Sequence, residues 1–359
     1  MGCLGLNPGT LWQAVLTGVK GSPMRAIISS EDAPFGLILA ETDRPLPAPD
    51  EVLVRVSAAS LNYGTVAYRD PRETGKIKGS DGAGTVIAAA ANGSGPRVGE
   101  RICFATPHGS FAEICSVPVA YAAPIPAGVS DAEAAALPGA GLTALQAVRR
   151  LGSGDGLRNL PRTGVNESLI LGHQLSGKRV LVTGAAGGVG VFAIQLLAAA
   201  GAEVITWVGR PERGEGLADL GASVVISSAE QLGDTRVDAV LDTVGGAVLT
   251  RALSALADYG LALNIGFTSG EPSVIDIEAI RRLGPGRRLE AFVCTDVGSA
   301  SLSELLELTA RGLLRVPLAP LTPWTRYAEA VDDLLGRRVW GKSVLLIDPE
   351  TAEETPANN

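Results

Sequence analysis

The chain has 359 residues, a length that favours two domains, and 46% hydrophobic residues, enough to bury a large core. Its formal net charge of −8 argues against nucleic acid or an anionic membrane as a main partner. No apolar run reaches the roughly 20 residues that a membrane span needs, so no membrane-spanning segment is predicted.

Cysteine and histidine usage restricts the redox state and the kinds of metal site. The sequence has no C-x-x-C spacing, which predicts free thiols in a reducing cytoplasm. Only two histidines, His108 and His173, are present, and this excludes a histidine-rich metal site. The four cysteines are Cys3, Cys103, Cys115 and Cys294.

Residues 1–23 are predicted to be an N-terminal extension of little functional weight, and the folded part begins as a β-rich domain. Short strands are predicted over 24–28, 51–56, 84–87 and 110–117, and a turn followed by a strand over 97–103. Ser130 followed by Glu133 predicts a capping box that opens a helix, and a second helix is predicted over 142–151. Short strands joined by glycine turns indicate a small barrel-like domain.

Residues 152–177 are rich in glycine and polar residues and show no periodicity. A loop of this length is unusual in a compact chain. Two interpretations stay open, a domain hinge with an inserted flap and a partly disordered insertion.

From residue 178 the pattern changes to alternating strands and helices. The apolar run Arg179–Thr183 leads into a loop with the sequence Gly-Ala-Ala-Gly-Gly-Val-Gly at 184–190, and a strong helix former follows. A strand, a glycine turn and a helix N-terminus together bind a pyrophosphate, because backbone N–H groups and the helix dipole point at the anion. Further strands at 203–208, 223–226, 237–242, 260–266 and 289–294, with helices at 248–258 and 301–314, predict an α/β, doubly wound parallel sheet.

The end of the chain is predicted to contain a helix over 325–337 and a last strand over 342–347. This strand is expected to return to the first domain. The tail from Pro349 is polar and is expected to be mobile.

The end of the second strand indicates which dinucleotide binds. NAD-binding sheets usually carry Asp or Glu there to hold the ribose 2′-OH, whereas this strand ends in Val208, Gly209 and Arg210. Gly209 leaves room for a 2′-phosphate, and Arg210 and Arg213 can pair with it, so NADP(H) is the predicted cofactor. In the alternative interpretation the two arginines are ordinary surface charges, one of them neutralised by Glu212.

Several motifs, in this order, resemble the medium-chain dehydrogenase/reductase superfamily, in its zinc-independent quinone oxidoreductase and enoyl reductase branch. They cover residues 24–348 and comprise the segments at 59–63, 79–86, 109–113, 137–144, 185–190, 242–246 and 341–342. The resemblance implies a GroES-like catalytic domain (residues 24–151 and 315–359) and a Rossmann nucleotide-binding domain (178–314), with the active site between them. The zinc-dependent branch carries Cys near Tyr63–Thr65 and a His-Glu pair at Ser80-Asp81, so no metal is predicted here.

The resemblance also assigns residues to the site. It places Asn62 beside the nicotinamide and makes Tyr63 and Tyr68 candidate proton or hydrogen-bond donors, although many relatives have their tyrosine at the position of Ala67. Tyr63 is equally consistent with an aromatic side chain packed under the cleft, Thr143 with a residue at a helix start, and Lys342 with a solvated lysine at a strand start. The predicted cofactor-binding residues are Asn62, Thr143, Ala186, Gly187, Gly188, Val189, Gly209, Arg210, Arg213, Gly266, Phe267, Phe292, Cys294 and Lys342.

The expected function is NADPH-dependent reduction of an activated C=C bond in a small electrophilic acceptor such as a quinone or enone. Without a metal, the developing negative charge must be stabilised by hydrogen bonds. Two alternatives stay open: an enoyl reductase acting on a polyketide or acyl-thioester intermediate, and an NADPH-binding protein without turnover. Arg69, Arg72, Lys76 and Lys78 can offer a basic surface to a thioester carrier. By family resemblance, the edge strand at 289–294 predicts a homodimer.

Overall fold

The computed structural model describes residues 23–68, 70–153 and 175–347. They form two compact units. The first contains the residues up to Pro138, residues 320–336 and those from Ser343 onward, and the second contains Gly139–Ala319 and Arg337–Lys342. The predicted N-terminal extension up to residue 22, residues 154–174 of the predicted insertion and the tail from residue 348 lie outside the described residues.

Strands predominate in the first part of the chain, and strands and helices alternate after it. Up to residue 137 they are β1 (Met24–Ser29), β2 (Leu37–Thr42), β3 (Glu51–Leu61), α1 (Tyr63–Ala67), β4 (Asp81–Ala88), β5 (Arg101–Ala105), β6 (Ile114–Pro118), β7 (Ala122–Pro124) and α2 (Asp131–Ala136). Next come α3 (Pro138–Gly152), β8 (Arg179–Thr183), α4 (Gly188–Ala199), β9 (Glu203–Trp207), β10 (Val224–Ile226), α5 (Ala229–Leu232), β11 (Val237–Asp242), α6 (Gly246–Ala255), β12 (Leu256–Asn264), α7 (Ile277–Leu283), β13 (Arg288–Ala291) and α8 (Ser299–Ala310). The last are β14 (Thr322–Pro323), α9 (Tyr327–Leu335) and β15 (Ser343–Leu346).

The first unit is built on a sheet in the order β14-β15-β3-β4-β5-β7, in which β6 also pairs with β3. The C-terminal strand β15 runs antiparallel to β3, with Ser343 opposite Leu61, so the chain returns to this sheet as the sequence predicts. Fully buried Phe104, Phe111 and Trp324 lie in its core. The capping box of Ser130 and Glu133 at the start of α2 is confirmed, with both of its hydrogen bonds present.

The second unit is built on a parallel sheet in the order β10-β9-β8-β11-β12-β13. This order reverses between β8 and β11, which makes their carboxyl ends the topological switch point where dinucleotides bind in such sheets. Helix α4 follows β8 directly, and Val191, Phe192, Ala193 and Ile194 are all fully buried. A helix buried on nearly every side is fixed in place, so its N-terminus is held rigidly at the switch point.

Several predicted boundaries are wrong. Of the strand predicted over 110–117, only the part from Ile114 is a strand, β6. Residues 111 and 113 instead donate their N–H groups to the carbonyls of residues 78 and 25. The helix predicted over 248–258 ends at Ala255, and Leu256 already pairs with β11, so tertiary pairing overrides local helix preference. The strand predicted over 289–294 ends at Ala291.

Candidate functional site

The glycine loop between β8 and α4 lies at the switch point. Gly184 has a φ of 61°, and a Cβ there would overlap the hydroxyl of Thr243, so the approach of the two strand ends requires glycine. A Cβ on Gly190 would overlap the backbone of Ala185, which fixes how closely α4 follows the loop. Gly187 caps α4 without a side-chain hydrogen bond. The predicted residues Ala186 to Val189 therefore form a tight turn at a helix start without a side-chain cap, the geometry that binds phosphate.

Lys342 covers the start of α4. The Gly341 N–H donates to the carbonyl of Ala186 at 3.0 Å, and a Cβ on Gly188 would lie 2.8 Å from the Lys342 Cδ. Lys342 is only 2% exposed. The alternative interpretation of Lys342 as a solvated lysine at a strand start is therefore wrong, because its alkyl chain packs against the glycine loop.

A buried carboxylate, Asp242, joins the carboxyl ends of three strands. It accepts hydrogen bonds from the Thr183 hydroxyl at 2.5 Å, the Gly245 N–H at 2.9 Å and the Asn264 amide at 2.8 Å. Asp242 is 0% exposed, so these donors replace the water that a carboxylate otherwise needs. The bonds hold the ends of β8, β11 and β12 in one fixed arrangement around the switch point.

Arg210 and Arg213 meet at the Arg337 carbonyl beside the end of β9, and the Arg337 guanidinium donates to the Thr268 carbonyl. Arg213 donates to the carbonyls of Arg337 at 2.5 Å, Val339 at 2.7 Å and Ala186 at 3.3 Å. Arg210 also donates to the Arg337 carbonyl, at 3.3 Å. Burial, together with the charges of Arg210 and Arg337, lowers the pKa of the Arg213 guanidinium.

These three arginines carry positive charge that no carboxylate offsets within the described part of the chain, and no ion pair with Glu212 is present there. A Cβ built on Gly209 meets no atom within 4 Å, so the space above the strand end is open. Like charges held together beside open space repel one another unless an anion joins them. The arrangement fits a phosphate group bound by Arg210 and its neighbours.

The predicted residues of the other half of the sheet also lie together. A Cβ on Gly266 would come 2.7 Å from the Thr243 carbonyl, so glycine is required where the loop after β12 passes β11. Phe267 lies in the same loop, and the Phe292 N–H donates to Asn264 at 2.9 Å. These loops follow the carboxyl ends of β12 and β13, at the same edge of the sheet as the glycine loop.

Thr143 and Cys294, two residues predicted to bind the cofactor, lie beside each other. Burial raises the pKa of the Cys294 thiol, while hydrogen bonding with Thr143 and Gln146 acts in the opposite direction. The Thr143 hydroxyl donates to the Gly139 carbonyl at 2.6 Å, one turn earlier in α3. Gln146, which the sequence analysis did not select, donates to the Cys294 Sγ at 2.9 Å.

In the first unit, Asn62 is joined to a buried carboxylate. Its amide nitrogen donates to Asp81 at 2.8 Å and to the Ser80 hydroxyl at 3.4 Å. Asn62 precedes α1 but makes no side-chain cap, so its side chain serves this contact and not the turn. Because a carboxylate only accepts hydrogen bonds, the orientation of the Asn62 amide is fixed.

The two candidate donor tyrosines lie at the two ends of α1, Tyr63 as its first residue and Tyr68 directly after its last. The rings of Tyr63 and Tyr68 meet edge to face, with centroids 6.3 Å apart. Tyr63 is half-buried, whereas Tyr68 is 52% exposed. Burial and the neighbouring Tyr63 raise the pKa of Tyr68, so its hydroxyl keeps its proton at neutral pH.

Over residues 23–68, 70–153 and 175–347, no group of three or more His, Cys, Asp or Glu side chains is arranged to hold a metal ion. No helix among the same residues is long and apolar enough to cross a membrane.

The chain matches two families along its length. Residues 48–127 match the Alcohol dehydrogenase GroES-like domain, and residues 188–311 match the family described as Zinc-binding dehydrogenase. Prostaglandin reductase-3 of Mus musculus is 30% identical over 94% of this chain and 90% of its own length. This chain belongs to the medium-chain dehydrogenase/reductase superfamily, in the quinone oxidoreductase and enoyl reductase branch.

Other relatives in this superfamily are much longer. Phthioceranic/hydroxyphthioceranic acid synthase of Mycobacterium tuberculosis is 32% identical over 95% of this chain, which spans only 16% of that protein. Among solved structures, the quinone oxidoreductase of Coxiella burnetii has a TM-score of 0.75 at 25% identity, covering 91% of this chain and 100% of its own. A mycobacterial protein complexed with NADPH has a TM-score of 0.75 at 26% identity, with the same coverage. The GroES-like and Rossmann fold class is thereby confirmed.

Sequence reasoning missed three groups in this member of the superfamily. Arg337 has a φ of 56°, a strained backbone that only the folded structure reveals, although the Arg-Arg pair at 337–338 between two glycines is a visible signal. Asp242 belongs to a recognised motif, but nothing in the sequence indicates its role in joining strands. Gln146 contacts residues about 150 positions away, and no local pattern predicts such a contact.

Proposed function

We propose that this chain is an NADPH-dependent, zinc-independent reductase that transfers hydride to an activated C=C bond of a small electrophile of the quinone or enone type. The observation that carries the proposal is the gathering of Arg210, Arg213 and Arg337, without a neutralising carboxylate in the described residues, beside the glycine loop. A 2′-phosphate supplies the missing negative charge. The mycobacterial relative that holds NADPH supports the same cofactor.

The residues of the second unit divide the cofactor between them. Ala186, Gly187, Gly188 and Val189 receive the pyrophosphate, covered by Lys342. Gly209, Arg210 and Arg213 form the adenosine end. The loops that follow β11, β12 and β13 are left for the nicotinamide end, with Gly266, Phe267, Phe292 and Cys294 beside Thr143.

NADPH supplies a hydride when bound. An acceptor such as an enone then develops negative charge on its oxygen, and this charge requires hydrogen-bond donors. Tyr63 and Tyr68 are proposed for this role, with Asn62 oriented by Asp81 as a further contact. The raised pKa of Tyr68 keeps the hydroxyl able to donate a hydrogen bond throughout the neutral range.

The alternative acceptor is an enoyl thioester, which the relatives among the mycobacterial synthases favour. The basic surface expected to receive a thioester carrier is partly neutralised. Arg72 is paired with Asp70 at 2.7 Å and Lys76 with Glu73 at 2.8 Å. Arg69 lies outside the described residues. The structure thus gives this carrier surface little free positive charge at Arg72 and Lys76, and a small free acceptor is preferred.

The experiment is consumption of NADPH followed at its absorbance maximum, with a panel of quinones, enones and crotonyl thioesters and with NADH in parallel. We expect turnover with NADPH and a quinone or enone, insensitive to a metal chelator. Preference for crotonyl thioesters would replace the acceptor by the alternative one. Tight NADPH binding with no turnover on any acceptor would contradict the enzyme and support the non-catalytic alternative.

We further propose that the protein is a cytoplasmic homodimer. Strand β13 is the last strand of its sheet, and apolar side chains at Leu289 and Val293 are exposed on it and just beyond it. Apolar side chains at a sheet edge favour pairing with another copy. The mass in solution, measured by light scattering, is expected to be twice the mass of the 36.7 kDa chain. A monomer at micromolar concentration would contradict the dimer.

A further inference from the structure

One glutamine side chain holds the backbone that follows β13. Gln146 lies on α3, one turn after Thr143. Its amide nitrogen donates to the Asp296 carbonyl at 2.5 Å and to the Cys294 Sγ at 2.9 Å. Its amide oxygen accepts from the N–H groups of Thr295 and Asp296, each at 3.2 Å. All four contacts go to three consecutive residues, so the amide uses both its donor and its acceptor on this short segment.

The same segment is held from its other side by α8. The Asp296 carboxylate accepts from the Ser301 hydroxyl at 2.7 Å and from the Gly298 N–H at 3.1 Å. Helix α3 is in turn tied to β13 and α8 by Arg150 with Glu290 at 2.7 Å and by Arg149 with Glu304 at 2.6 Å. Residues 294–296 therefore have a defined position with respect to Thr143, and Gln146 makes the direct link.

The position of this segment relates it to the cofactor. A dinucleotide lies across the switch point of a doubly wound sheet, with one nucleotide over each half. The arginines beside β9 assign the adenosine half to β8, β9 and β10. The other nucleotide then lies over the carboxyl ends of β11, β12 and β13, and residues 292–296 directly follow β13.

We propose that Gln146 is a positioning residue for the nicotinamide half of the cofactor, acting through the backbone of residues 294–296. This inference rests on the proposed NADPH-dependent function. Gln146 orders a segment of backbone before the cofactor binds. The free energy of binding is therefore not reduced by the cost of ordering that segment. The effect of Gln146 is therefore confined to ligands that reach the nicotinamide half.

The test compares two ligands and a matched control. The ligands are NADPH and adenosine 2′,5′-bisphosphate, which has the adenosine end but no nicotinamide. The variant is Gln146→Leu, and the control is Gln195→Leu. Gln195 makes the same kind of clamp elsewhere in this unit, bonding the Arg315 N–H at 2.8 Å and carbonyl at 3.0 Å. Dissociation constants are measured by calorimetry, without any acceptor present.

We expect Gln146→Leu to raise the dissociation constant of NADPH about tenfold, which corresponds to the net contribution of roughly one hydrogen bond, and to leave that of the bisphosphate unchanged. Gln195→Leu is expected to leave the ratio of the two constants unchanged. Hydrogen exchange of the protein without cofactor is expected to accelerate at Thr295 and Asp296 in Gln146→Leu only. Gln146→Glu keeps the acceptor for the two N–H groups and is expected to restore part of their protection.

If Gln146→Leu left the ratio of the two dissociation constants unchanged, for example by weakening the binding of both ligands equally, the positioning role would be overturned while the proposed function stood. Unchanged exchange at Thr295 and Asp296 would also overturn it. If the unmodified protein binds neither ligand, the proposed function itself fails, and the inference falls with it. These patterns are distinct, because only the last one appears in the protein without substitutions.

Discussion

The arginines beside β9 make a prediction in which three similar substitutions have different effects. Arg210 and Arg337 are exposed, and each makes one bond, to the carbonyls of Arg337 and Thr268 respectively, so their remaining N–H groups are available to a bound phosphate. The Arg213 guanidinium instead donates to the carbonyls of Ala186, Arg337 and Val339. Loss of Arg210 should therefore affect only a cofactor that carries the 2′-phosphate, whereas loss of Arg213 should also disturb the glycine loop and loss of Arg337 the loop at Thr268.

The magnitudes follow from the kind of bond lost. A hydrogen bond to a charged group contributes about 1.5–3 kcal/mol, and the exposure of Arg210 and Arg337 places each at the lower end, about tenfold in KM. Arg210→Ala should raise the KM for NADPH about tenfold and leave that for NADH unchanged, whereas Arg337→Ala should raise the KM for NADPH more than that for NADH, since it also removes the bond to Thr268. Arg213→Ala leaves three carbonyls without this donor, so the KM for both cofactors should rise and the Tm should fall.

The assay is steady-state kinetics with each cofactor at two salt concentrations, since a charge contact weakens as salt is added. The control is Arg236→Ala, which removes the same charge from the same unit. Arg236 directly precedes β11, at the opposite edge of the sheet, and donates to the Ser254 carbonyl. The assignment of the 2′-phosphate would be refuted if Arg210→Ala and Arg337→Ala did not change the ratio of the KM for NADPH to the KM for NADH.

Two further predictions concern packing and burial. Gly190→Ala places a Cβ against the Ala185 backbone and should lower stability by about 1–3 kcal/mol. Gly188→Ala meets a side chain, that of Lys342, and should mainly weaken NADPH binding; equal losses of Tm would contradict this order. Burial raises the pKa of Cys115 to about 12, so above the ordinary thiol range the unfolded chain loses a proton that the folded chain keeps. Stability should therefore fall as the pH rises towards 12, by at most about 1.4 kcal/mol per pH unit from this thiol, and an equally steep fall in Cys115→Ala would argue against it.

The sequence was informative where local chemistry decides the structure. The glycine loop was predictable because a strand, a close turn and a helix each have their own local pattern, and the structure places them at the switch point. The capping box at Ser130 was predictable for the same reason, since both of its bonds lie within four residues. The absence of an acid after β9 was also visible, because it depends on residue identity alone.

What the sequence did not reveal depends on contacts between distant residues. Helix α1 begins at Tyr63, where a short segment with Gly64 and Thr65 gives no helical periodicity. The bond of Asn62 to Asp81 and the clamp of Gln146 on Asp296 join residues that only the fold brings together.

The buried carboxylate of Asp242 explains why the switch point can be both open to a ligand and rigid. Strand ends at such a crevice lack the backbone hydrogen bonds of a continuing ladder, so side-chain hydrogen bonds must hold them together. Asp242 bonds the side chains of Thr183 and Asn264 from the neighbouring strands, and its second oxygen also receives the Gly245 N–H at the start of α6. A single charge with several donors is stronger than neutral pairs, because each bond is charge-assisted. The bonds that join the ends of β8, β11 and β12 therefore lie beneath the glycine loop, at one carboxylate.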